Sequence, residues 1–326
     1  MFELDTEKRN KIYNIIKSFN SSSDCYYANL ADIDGIARNC IDILNQKYYT
    51  EQDSNFSTNY TINESINIIK IFLKSIDPNL EVQFSNIIAM IDANGKPFVH
   101  FINADKSYYK KFPEELNDSI KKELELNSRA SSDGIYIHLE HNLYDLITII
   151  HEMFHEINSI RLEIDGIEYT TPSNYLLTES VSILSEKMLA CYLFKNNYIN
   201  QNDCNLILNR RLKSSKRIAA KLLLEIIYIK MIQKGIELNY NSVIEFMDDY
   251  FKSIQAFPTL LEYKKSLKEI TDEILKNGRL DFDVYNSYVQ GQIVANGLNY
   301  DEEGIKNLLD LNNKAGSSIE FYNIYR

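Results

Sequence analysis

Glycine and proline are scarce in this chain, with 10 and 5 residues among 326. Few tight turns and few helix breaks are therefore available. Together with the abundant Ile, Leu, Lys and Glu, this favours a mainly α-helical fold. Cysteine is scarce as well. Cys25, Cys40, Cys191 and Cys204 show no paired spacing of the C-x-x-C kind, which excludes a cysteine-built zinc module and suits a reducing compartment. No run approaches the ~20 apolar residues needed to cross a bilayer. Lys8, Arg9 and Lys11 have no apolar stretch behind them, so no signal peptide is expected. The expectation is a cytoplasmic protein where it is made; export by a specialised secretion system would leave no readable mark. Positive charge is also short. The net charge of −11 argues against nucleic acid and against an anionic membrane as partners. Neither an internal repeat nor a low-complexity tract is present.

Histidine is rare too, yet two of the five fall in one short pattern, His151-Glu152-Met153-Phe154-His155. Residues four apart share one face of a helix, so both imidazoles can reach one metal ion. Glu152 sits where it can take a proton from a water held by that metal. The flanks read as helix. Leu146, Ile149, Ile150, Met153 and Phe154 form an apolar face, and Asn142 can cap the first turn with Asp145 three residues on.

A catalytic zinc usually has three protein ligands and one open position. No histidine follows His155, so the third ligand has to be a carboxylate or an upstream histidine. Glu179 is the best candidate. It lies 24 residues beyond His155 (179 − 155), in a run over Ser173–Asn197 that reads as a second helix begun at Pro172. That spacing leaves room to turn through Asp165-Gly166 and return antiparallel. Glu186 is two helical turns further on nearly the same face. His138 and His141, at the end of a short apolar run Gly134–Leu139, are alternative ligands or substrate contacts, with a partly exposed structural role as the blander reading.

The two helical segments resemble the zinc core of the oligoendopeptidase F and thimet oligopeptidase family of gluzincin peptidases. That family has an apolar strand, a helix bearing His-Glu-x-x-His, and a glutamate ligand in a following segment with Ser and a second Glu. Here these are matched by Gly134–Leu139, by the helix carrying His151 and His155, and by Glu179-Ser180-Val181-Ser182 running to Glu186. A third match is Tyr285-Asn286-Ser287-Tyr288-Val289-Gln290-Gly291, which is similar to the family's tyrosine-rich helix. The resemblance implies that Tyr285 and Tyr288 donate hydrogen bonds to an oxyanion. It also implies that the strand before the zinc helix is a sheet edge to which extended substrate can add. One departure stands out: the family histidine a little before those tyrosines is missing here.

Elsewhere, residues 5–47 read as two amphipathic helices broken near Asn20–Ser23, Asp53–Asn59 as a loop, and Asn63–Ile76 as a helix. Asn86–Ile91 and Pro97–Ile102 flank an Asn94-Gly95 turn signal and are expected to form a β-hairpin. Ser107–Asn127 reads as a connecting helix or a solvated linker. Long helical periods follow at Asp203–Lys234, Ser242–Ala256, Thr259–Asn277 and Asp283–Asn296. The expected organisation is an N-terminal helical region over 1–130, with the hairpin near 86–102, and a catalytic region over 131–326, packed as one unit. The expected fold is mainly α, a gluzincin-type core with a small sheet beside the active-site helix.

The function these features imply is a zinc-dependent peptidase acting on a peptide or protein. Zn²⁺ is held by His151, His155 and Glu179, Glu152 is the general base, and Tyr285 and Tyr288 stabilise the oxyanion. Ser182 and Glu186 would orient the ligating imidazoles. Two other readings stay open. One is a compact protease that cuts a specific folded target, since family members are usually far longer. The other is a non-catalytic zinc-containing interaction protein, which the missing histidine favours and the intact Glu152 opposes.

Overall fold

The structure is a computed structural model describing residues 33–50, 55–91, 95, 97–102, 128–131, 134–164, 172–236, 240–258 and 282–297. Mainly helical, it has a small sheet, and its contacts divide into two compact units. One comprises Met1–Tyr48, Arg211–Ile293 and Ser317–Arg326; the other comprises Tyr49–Arg210 and Val294–Gly316.

The first unit holds helix α1 over Ile33–Asn45. Its buried Ile36, Cys40, Ile43 and Leu44 recur at the three-to-four residue spacing of one helix face. They share a core with Leu223, Ile227 and Tyr228, and with Phe246, Met247 and Phe251, a stripe of the same period. Tyr250 donates from its hydroxyl to Asp34 at 2.8 Å, and Lys230 pairs with the same carboxylate at 2.9 Å. The helix expected N-terminal to Asn20 lies outside the described residues, as do 107–127 and Thr259–Asn277.

The second unit begins with a segment held by side-chain amides. Asn209 accepts from the Tyr49 amide at 2.7 Å and donates to the Tyr49 carbonyl at 2.8 Å, and Asn205 donates to the Thr50 carbonyl at 2.6 Å. Fully buried Asp203 accepts from the Ser57 amide and from the hydroxyls of Ser57 and Thr58. Helix α2, Ile62–Ile76, starts on a capping box: Thr61 and Glu64 each accept the other's backbone N–H. Asp77 then ends α2 and caps α3, Pro78–Ala89, with Pro78 at its first position.

The hairpin expected over 86–102 is therefore not formed. Leu80, Phe84 and Ile87 are buried at helical spacing, so residues 86–89 belong to α3 and not to a strand. Among the described residues the Asn-Gly signal leaves an antiparallel bridge between Ile91 and Pro97, with Gly95 at φ +74°. Strand β1, Val99–Ile102, pairs instead in parallel with the distant β3, Gly134–His138. On the other side of β3 runs β2, Arg129–Ser131, antiparallel to it. The order β1-β3-β2 puts the Gly134–His138 strand in the centre of the sheet. It is not the edge that the family resemblance implied; among the described residues β2 and β1 are the outer strands.

Helix α4, Tyr144–Ile164, packs against β3 and β2 and against α2 and α3. Asn142 caps it, accepting from the Tyr144 amide at 2.8 Å, while Asp145 reaches back to accept from the Glu140 amide at 2.8 Å. Leu146, Ile149, Ile150, Met153 and Phe154 are all fully buried. At roughly 1.5–3 kcal/mol for each large apolar side chain, that face anchors the helix. Helix α5, Pro172–Lys195, lies against it, and α6, Gln201–Gln233, follows. At the start of α6, Arg210 pairs with Glu140 and lies 4.2 Å from the centre of the Tyr144 ring. The later helices are α7, Tyr240–Ile254, and α8, Phe282–Gly297. Among the described residues no helix is long and apolar enough to cross a membrane.

Gly134 starts the central strand at φ +145°, and a Cβ there would sit 2.9 Å from the Phe98 carbonyl oxygen, which accepts from the Ile135 amide. Any side chain both strains the backbone and pushes β1 from β3. Gly134→Ala is expected to cost about 1–3 kcal/mol, read as a lowered midpoint in thermal or urea unfolding. An unchanged midpoint would mean that the strand junction has slack the geometry denies.

Candidate metal centre

The site lies where α4 and α5 cross. His151 meets Glu186 and His155 meets Ser182, so a step of four forward on one helix matches a step of four back on the other. The two helices are thus antiparallel at the site, as their spacing in the chain suggests. The turn between them lies outside the described residues.

Both imidazoles turn their Nε2 atoms to one point. These atoms approach to 3.1 Å, with the rings nearly perpendicular at 86°. The Glu179 carboxylate completes the group, with Oε2 at 3.9 Å from His151 Nε2 and Oε1 at 3.7 Å from His155 Nε2. The three side chains are 10 %, 12 % and 8 % exposed for His151, His155 and Glu179. Among the described residues they are the one such cluster able to hold a metal ion. His138 and His141 are not in it. The His138 amide donates to Ser128 Oγ, and His141, at φ +59°, accepts from Asn59 through its carbonyl.

The donor set fits zinc. Two imidazole nitrogens and a carboxylate are ligands this ion accepts, and tetrahedral bonds of 2.0–2.1 Å put ligand atoms about 3.3 Å apart. The observed 3.1, 3.7 and 3.9 Å lie near that separation. The opposite ring nitrogens are also engaged. His151 Nδ1 donates to Glu186 Oε1 at 2.5 Å, and His155 Nδ1 lies 3.4 Å from Ser182 Oγ. With the proton on Nδ1, each Nε2 keeps its lone pair for a metal.

Glu152 points its carboxyl into the same buried region, at 7 % exposure. Burial raises its pKa to about 7; His151 lowers it, Glu179 and Glu186 raise it, and an N–H bond from Ala130 of β2 lowers it. That contact from the outer strand has no sequence signature, and only the fold supplies it. For His151, burial disfavours the cation most, but the Glu186, Glu152 and Glu179 carboxylates together outweigh it, so the net shift is upward.

Tyr285 and Tyr288 lie on α8, in the part assigned to the other compact unit. Both are half-buried there. Tyr285 packs beside that unit's core with Lys221 Nζ 5.5 Å from its ring centre, and Tyr288 lines a shallow notch with Arg211, Ser215 and Gln292.

The ligand and positioning roles separate by experiment. Glu179→Ala should abolish tight zinc binding. Glu186→Ala should keep the metal but weaken it about 10–100-fold, because it frees a ring and removes no ligand. Competition with a chromophoric chelator measures both, and equal losses for the two variants would contradict the assignment. No family model matches the chain, and no curated protein or solved structure is found similar to it.

Proposed function

We propose that the chain is a zinc-dependent peptidase that hydrolyses peptide bonds with Glu152 as general base. One observation carries the reading: a buried glutamate adjoins three convergent ligand atoms of the kind that leave a fourth zinc position open. When bound, zinc would supply Lewis acidity, polarising the scissile carbonyl and making the attacking water more acidic. Glu152 takes the proton of that water and delivers it to the leaving amine. A carboxylate in this position can serve both transfers. Glu186 and Ser182 hold the ligating rings in one tautomer. The finer assignment, a core of the oligoendopeptidase F and thimet oligopeptidase type, belongs to this proposal and is supported by the order of the motif helix and glutamate helix.

Purified protein should carry close to one zinc per chain and should cleave members of a peptide library, with cleavage stopped by a chelator. Glu152→Gln should retain zinc and lose hydrolysis, since it removes a base and no ligand. If Glu152→Gln cleaves as fast as the parent, the mechanism is wrong.

Tyr285 and Tyr288 are proposed as oxyanion donors on the strength of the segment's resemblance. Phenylalanine keeps ring and packing and deletes only the hydroxyl. At least one of Tyr285→Phe and Tyr288→Phe should lower kcat and kcat/KM together by about tenfold or more, with KM level. Parent kinetics in both would remove the tyrosines from the site and leave the zinc core.

A further inference from the structure

Strand β2 is short, and its pairing with β3 decides which way each of its backbone groups points. Ala130 stands opposite Ile135, while Arg129 and Ser131 stand opposite Tyr136 and Gly134. Along an antiparallel pair, facing residues alternate between exchanging both hydrogen bonds and exchanging none. The Ile135 amide is already given to the Phe98 carbonyl, on the β1 side, at 2.9 Å. The His138 amide goes the other way, to Ser128 Oγ just before β2, at 2.8 Å. Ile135 thus turns its polar backbone toward β1, so Ala130 and Ile135 are a non-bonded pair. The N–H and C=O of Ala130 therefore face out of the sheet. Helix α4 packs on β2, and the Ala130 N–H donates to the Glu152 carboxylate. Among the described residues it is the one hydrogen bond that this carboxylate accepts. An outward N–H on an outer strand is ordinarily left to water. This one is taken by a residue only 7 % exposed.

We infer that the Ala130 N–H is a positioning group for Glu152, fixing where that carboxylate stands beside the convergent ligand atoms of His151, His155 and Glu179. The inference rests on the peptidase reading. A glutamate side chain is rich in rotamers, and ordering it costs entropy that some contact has to offset. The Glu179 and Glu186 carboxylates also act on Glu152 as like charges, which push its anion away from the site. A donor on one carboxylate oxygen opposes that push and leaves the second oxygen for the proton of the attacking water. The donor is main chain, so among the ordinary residues only proline at 130 removes it. Proline is tolerated on an outer strand where its missing N–H faces away from the sheet. Ala130→Pro therefore deletes this bond and no bond of the β2–β3 ladder.

Two measurements on the whole protein test the role. The first is amide hydrogen exchange with ¹⁵N-labelled alanine and isoleucine, in metal-free and zinc-loaded protein. The Ala130 amide should exchange about tenfold or more faster in Glu152→Ala than in the parent, while the Ile135 amide, bonded to Phe98, keeps its rate. The second is kinetics of Ala130→Pro, and of a chain in which an ester replaces the amide at Ala130, in case proline disturbs the strand. Both should lower kcat about tenfold or more with KM and zinc content level. An N–H that merely fastened β2 to α4 would change stability and leave kcat per zinc-loaded molecule at the parent value. That result in both variants, or an Ala130 exchange rate indifferent to Glu152 or altered only in step with Ile135, would overturn the inference. A parent that cleaves no peptide would instead strike the peptidase reading, and the exchange rates would still decide whether Ala130 holds Glu152.

Discussion

Three buried carboxylates around two imidazoles make an arrangement that is costly unless its charges are compensated. Glu152, Glu179 and Glu186 are each less than a tenth exposed, and they face His151 and His155 across the α4–α5 crossing. Uncompensated charge in such a place costs several kcal/mol per ion unless a counter-charge or a proton neutralises it. The upward pKa of Glu152 expresses that cost, with burial as its main cause. A divalent cation at the convergence of the two Nε2 atoms would remove the conflict and tie the two helices together. Folding and metal binding would then be linked, since the energy that held the ion would also hold the crossing. The apolar face of α4 provides the rigid backing that keeps these groups together.

Much of this crossing was legible in the chain. Two histidines one turn apart, an apolar stripe and a capping asparagine all act within a few residues, and each appears in the structure where its local chemistry puts it. Glu179 and Glu186 were legible because a helix of fixed rise and a return path of limited length leave few options. The hairpin was misread for the opposite reason. Asn94-Gly95 is a strong turn signal, but Asp77-Pro78 is a strong helix start. The stripe Leu80, Phe84, Ile87 decides for the helix as far as Ala89. The pairing of β1 with β3 links segments far apart in the chain, and no local pattern records it. The central position of β3 follows from that pairing, so the edge implied by resemblance was lost with it.

The way the second unit's first segment is fastened has a consequence for how the protein can change over time. Asn209 and Asn205 take hold of Tyr49 and Thr50 through backbone atoms, which every residue type but proline offers alike. Tyr49 as a residue is 52 % exposed. Identity at these two positions is thus released from structural duty, while the amides that grip them, set on α6, are not. Substitutions should accumulate freely at 49 and 50 and rarely at 205 and 209. Variation and constraint are divided between the two sides of one contact, with the burden carried by the helix.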